Sequence, residues 1–157
     1  MAEFTLPEDY VDLLAAFQDT GAEFVIVGGW AVAAHGYARS TDDLDVFVRP
    51  SAENADRVWR ALQAFGAPLE VHGVSPTLFA TEGLGYRMGR KPRLIEILTA
   101  IDGVSFDEAS ADAPTVIIGG VHVRVIGRRA LIRNKRAAGR PKDLADIAGL
   151  AGGVERA

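Results

Sequence analysis

The chain has 157 residues, 48% of them hydrophobic, which is enough to bury the core of one compact domain spanning 1–157. A formal charge of -4 and a pI near 5.4 argue against a broad nucleic-acid coat. There is no cysteine, hence no disulfide, and no apolar stretch of membrane-span length or leader-like N-terminus, so a cytoplasmic protein without a membrane partner is expected.

Thr5-Leu6-Pro7-Glu8 reads as a capping box with an early proline. It opens a helix whose Val11, Leu14, Ala15 and Phe17 share a side and which Gly21 ends. The β-branched run Phe24-Val25-Ile26-Val27 predicts a buried strand over 23–27, and a short helix follows over 30–35. Gly28-Gly29 therefore falls at a strand-to-helix turn. Glycine admits a phosphate close to the backbone, and the unpaired N–H groups of a helix start supply donors. A lone glycine pair is as well explained by a tight turn.

Asp43 and Asp45 belong to a predicted strand over 43–48, in which alternation turns both carboxylates to one side and Leu44 and Val46 to the core. Like charges so placed call for a cation, and a hard divalent ion, Mg²⁺ or Mn²⁺, suits oxygen ligands. Standing alone, such a pair also fits a solvated acidic turn. Arg39, just upstream, fits a phosphate contact or an ion pair with Asp42 or Asp43.

Pro50-Ser51 caps an amphipathic helix carrying Val58, Trp59, Leu62 and Phe65, stopped by Gly66 and Pro68. The Gly- and Pro-rich stretch 71–90 has room for one or two short strands and an acceptor-binding loop. Strand 93–98 is clearer, and alternation turns Glu96 away from Ile95 and Ile97, toward the aspartates if the strands are neighbours. Asp102, in an Asp-Gly turn, is the competing carboxylate. Thr115–Ile118 and Val121–Val125 flank Gly119-Gly120 as a hairpin, and helices near 128–138 and 142–150 close the chain. Eight Arg and Lys residues between Arg124 and Lys142 have no acidic residue among them, giving a local positive surface on an acidic protein. His35, His72 and His122 have no metal-ligand spacing.

Val27-Gly28-Gly29 followed by Asp43-Leu44-Asp45-Val46 resembles the motif of the nucleotidyltransferase superfamily of the DNA polymerase β type. Arg93–Leu98 resembles that family's later strand, with Glu96 where aspartate is common, and Asn134–Asp146 resembles the closing segment of small toxin-type, AbiEii-like members. The resemblance covers about 20–150 and implies an α/β fold, a small mixed sheet flanked by helices. It further implies metal-dependent transfer of an NMP from an NTP to a hydroxyl, with Asp43, Asp45 and Glu96 as metal-binding and catalytic residues. Glu96 fits either a second-metal ligand or a general base. Nucleotide contacts are expected from Gly28, Gly29, Arg39, Thr41, Lys135 and Asp143. Gly28-Gly29-Trp30 also resembles small antibiotic nucleotidyltransferases of the lincosamide and aminoglycoside kind, so the acceptor class stays open among tRNA, protein and an antibiotic, and the toxin-type likeness implies a cognate antitoxin partner. A non-catalytic nucleotide-binding regulator is the alternative.

Overall fold

The structure, a computed structural model, describes residues 3–156. In chain order the elements are β1 (Glu3–Phe4), α1 (Glu8–Thr20), β2 (Phe24–Val27), α2 (Gly28–Ala34), β3 (Asp43–Val48) and α3 (Ala52–Phe65). A 3₁₀ turn (Pro76–Ala80), β4 (Gly85–Met88), β5 (Leu94–Leu98), α4 (Phe106–Ser110), β6 (Thr115–Ile118), β7 (Val121–Arg124), α5 (Arg128–Ala138) and α6 (Pro141–Arg156) follow.

Four strands form the sheet that carries the carboxylates, in the order β2-β3-β5-β4. β3 runs antiparallel to β2 and parallel to β5, while β4 returns antiparallel along the other side of β5. The parallel step needs a long crossover, and α3, the 3₁₀ turn and β4 lie within it. All four residues of β2 are buried, as are Leu44, Val46, Phe47 and Val48 of β3, so the sheet is fixed by its apolar face. α1 packs on α3, burying Leu13, Leu14 and Phe17 against Val58 and Leu62 in the same core.

The structure has the mixed α/β architecture implied by the sequence, with two differences in organisation. The β6–β7 hairpin joins β1 in a second, three-stranded sheet, tied to the first by the Ile26–Val125 bridge and by Ile126 N–H donating to Ile26 O at 2.9 Å. The expected capping box at Thr5 does not form. Residues 3–4 are drawn into a parallel pairing with β6, Pro7 occupies the N-cap position, and no side chain caps α1. A reciprocal capping box does occur at Ser105 and Glu108, where α4 begins. Among the described residues, no helix is long and apolar enough to cross a membrane.

Candidate active site

Strand register builds the site. Val27 pairs with Asp45, Asp45 with Glu96, and Glu96 with Arg87, so one row across four strands ends β2 beside a carboxylate, a second carboxylate and a cation. Asp43 lies two residues along β3 on the same face. Carboxylate oxygens of Asp43, Asp45 and Glu96 lie within 4.8 Å of one another, a spacing at which one ion reaches all three. Arg87 Nη2 donates to Glu96 Oε1 at 2.8 Å from an otherwise exposed side chain.

Charge repulsion is visible in Asp45. Burial, then the neighbouring Asp43 and Glu96 carboxylates, push its carboxyl up to about 7, against the pull of Lys135 and Lys142. Three hard oxygen donors around an under-compensated negative charge fit a Mg²⁺ or Mn²⁺ ion better than any softer metal. Below the triad, the buried Tyr10 hydroxyl donates to Leu94 O at 3.1 Å and lies 3.3 Å from Pro92 O, which anchors the start of β5. Burial, followed by Asp43, pushes that phenol up to about 12, so it stays a donor.

Both glycines of the turn are needed for close packing, each against a different side chain. Gly28 has φ +69°, and a Cβ there would stand 2.1 Å from Asp45 Oδ2. Gly29 lies inside the first turn of α2, and its Cβ would fall 2.6 Å from Thr41 Oγ1. The helix therefore starts at Gly28, two residues earlier than its periodicity predicts. Thr41 Oγ1 is 3.2 Å from Asp43 O and 3.3 Å from Asp43 Oδ1, which ties the turn before β3 to the first carboxylate.

Opposite the sheet, α5 and α6 close a cleft of about 600 Å³ whose walls include Gly28, Gly29, Arg39, Thr41, the three carboxylates, Asp102 and Lys135. Lys135 is nearly buried, its Nζ held by Asp146 at 3.1 Å and Asp143 at 3.3 Å. Arg39 pairs with neither Asp42 nor Asp43; its Nε and Nη2 donate to Asp146 at 2.7 and 3.0 Å. Asp143 is fully buried behind Lys135 and outside the cleft wall, where it also takes Arg140 Nε at 2.7 Å. The Asp102 carboxylate is outside the metal-competent group, and its backbone carbonyl accepts from Asn134 Nδ2 at 2.9 Å.

Arg87 and Asp146 escaped sequence reasoning. Arg87 falls in the stretch with no assigned elements, and only the β4–β5 register reveals it. Asp146 is 107 residues from its partner Arg39. Its one local signal was the apolar periodicity of α6, which puts Asp143 and Asp146 on the buried side with Leu150. Much of the basic segment proves structural: Arg128 donates to Leu150 O at 2.9 Å, Arg133 pairs with Glu108, and Arg140 pairs with Asp143.

Residues 7–156 match the family model described as nucleotidyl transferase of unknown function (DUF2204). The chain belongs to this family. No curated protein matches it. Among solved structures, ANT(2'')-Ia in complex with adenylyl-2''-tobramycin superposes with a TM-score of 0.56 at 19% identity, covering 94% of this chain and 89% of that one. The solution structure of the antibiotic-resistance factor ANT(2'')-Ia gives 0.55 at 20% identity, covering 93% and 82%. At such identities these nucleotidyltransferases share the fold with this family member.

Proposed function

We propose that this nucleotidyl transferase moves an NMP from an NTP to an acceptor hydroxyl with Mg²⁺ or Mn²⁺. The observation that carries the reading is the trio of carboxylates within 4.8 Å on one sheet face, facing a cation-lined cleft that begins at a glycine turn. The acceptor oxygen forms a bond to the α-phosphorus as the bond to the β-phosphate oxygen breaks. The electron pair leaves with pyrophosphate, and the acceptor proton passes to solvent or to Glu96. Asp43, Asp45 and Glu96 would hold the divalent ions, which supply charge neutralisation for the triphosphate and the attacking oxygen.

The protein's own groups do the positioning. Gly28 and Gly29 let backbone approach the phosphates, while Lys135, Arg39 and Thr41 face the same cleft. Asp143 acts through Lys135. Arg87 holds Glu96 in register with Asp45. Acceptors to be tried are RNA including tRNA, protein, and aminoglycosides, the last because the fold neighbour carries an adenylyl-tobramycin product. The toxin-type resemblance of the closing segment adds a cognate antitoxin as a candidate partner.

The test is incubation with each α-labelled NTP, Mg²⁺ or Mn²⁺, and RNA, protein extract or an aminoglycoside panel. Metal-dependent label in one fraction supports transfer. Tight Mg-NTP binding with no labelled fraction favours the non-catalytic regulator.

A further inference from the structure

Along one wall of the cleft runs a chain of five charges, Arg39, Asp146, Lys135, Asp143 and Arg140, in which Asp146 joins the first two cations. Asp146 is 1% exposed and, among the described residues, is the one acidic group that pairs with both Arg39 and Lys135, two of the cations that line the cleft. Its two oxygens take the Arg39 fork at 2.7 and 3.0 Å, a bidentate geometry that fixes the guanidinium plane as well as its position. The held Arg39 lies against the glycine turn, its Nη1 3.1 Å from where a Gly29 Cβ would stand. Lys135 is shared between Asp143, to which it donates at 3.3 Å, and Asp146, 3.1 Å away, and it also lines the cleft.

From this geometry we infer that Asp146 is a positioning residue that sets Arg39 and Lys135 as a paired cation site for the pyrophosphate half of the NTP. The inference rests on the transferase reading and assigns the leaving group to a defined pair of side chains. Counted together, Arg39, Lys135 and Arg140 are three cations against the two buried carboxylates Asp146 and Asp143, so the network leaves one surplus positive charge on the cleft wall, which suits a β,γ-diphosphate. Without the Asp146 charge, the cations repel, Arg39 loses its fork partner and swings into solvent, and Lys135 relaxes toward Asp143. The nucleoside monophosphate half, held at the carboxylates and the acceptor side, does not depend on that pair. A purely architectural role for Asp146 would instead weaken every ligand together with the fold.

The experiment measures inorganic pyrophosphate and an NMP as competitors of NTP, for wild type, Asp146→Asn and Arg39→Gln, each checked for folding by circular dichroism. For Asp146→Asn we expect pyrophosphate competition to weaken roughly tenfold or more, with KM for NTP rising alongside and NMP competition unchanged. Arg39→Gln, at a partly exposed side chain, is expected to show the same split and decides the matter if Asp146→Asn does not fold. Equal losses for pyrophosphate and NMP, or retained pyrophosphate competition in a folded variant, overturn the inference while leaving the transferase reading standing. A wild type that neither binds Mg-NTP nor transfers removes that reading itself.

Discussion

Asp45→Asn separates the cost of the site from its use. The substitution keeps side-chain shape and removes the charge that burial, Asp43 and Glu96 all oppose. A carboxyl moved from 3.8 to about 7 stores at most about 4 kcal/mol of unfavourable charge in the folded state, taking 1.36 kcal/mol per pH unit. The raised folded value means that folding takes up a proton between about pH 4 and 7, so wild-type stability falls as pH rises through that window and the loss is complete above it. Asparagine escapes that loss. For a chain of this size, roughly 2–4 °C per kcal/mol gives a ceiling of about 8–16 °C of added Tm for the variant at about pH 8.5 in metal-free buffer. At about pH 5 wild type already carries the proton, and the difference should shrink toward zero. Saturating Mg²⁺ should raise wild-type Tm and leave the variant unmoved, because the ion supplies the missing charge only where Asp45 can bind it. Differential scanning calorimetry across pH, with and without Mg²⁺, reads all three effects. A gain that is the same at both pH values, or a wild type indifferent to Mg²⁺, would refute the reasoning.

Glu96→Gln should lower the single-turnover transfer rate by orders of magnitude with NTP affinity nearly intact, while Asp102→Asn stays mild; the reverse pattern in rapid-quench kinetics would move the third carboxylate to the turn. Gly28→Ala forces a Cβ within 2.1 Å of Asp45 Oδ2 at a left-handed φ, so the Mg²⁺-dependent Tm rise should disappear, and its persistence would show that Asp45 can yield without losing the ion. Tyr10→Phe removes a buried donor to Leu94 O and should cost about 1–3 kcal/mol in urea unfolding, with transfer reduced through loss of order at the start of β5. A variant as stable as wild type would mean that the strand start needs no such anchor.

Local patterns carried much of the fold. The buried run of β2, the alternating Asp43-Leu44-Asp45-Val46 and the apolar flanks of Glu96 each declare a strand and its faces within a few residues, and three short strands suffice to aim the carboxylates. What was illegible depends on partners far away in sequence. The hairpin's own pattern does not say which sheet it joins, and the pairing of β1 with β6 spans more than a hundred residues. That same pairing draws residues 3–4 into a strand and overrides the local capping signal at Thr5, whereas the five-residue α4 is too short to show periodicity. Arg39 illustrates the limit within the site: its nearest acidic neighbours in sequence are Asp42 and Asp43, yet its partner is Asp146, because α6 folds back over the turn that precedes β3.

The central claim is that Asp43, Asp45 and Glu96 hold a divalent ion together with the NTP. Mn²⁺ binding followed by electron paramagnetic resonance, with and without a non-hydrolysable NTP, tests it most directly. The account predicts that nucleotide tightens Mn²⁺ binding in wild type and that Asp43→Asn abolishes the tightening in a folded protein. Mn²⁺ and nucleotide binding unchanged by Asp43→Asn would contradict it.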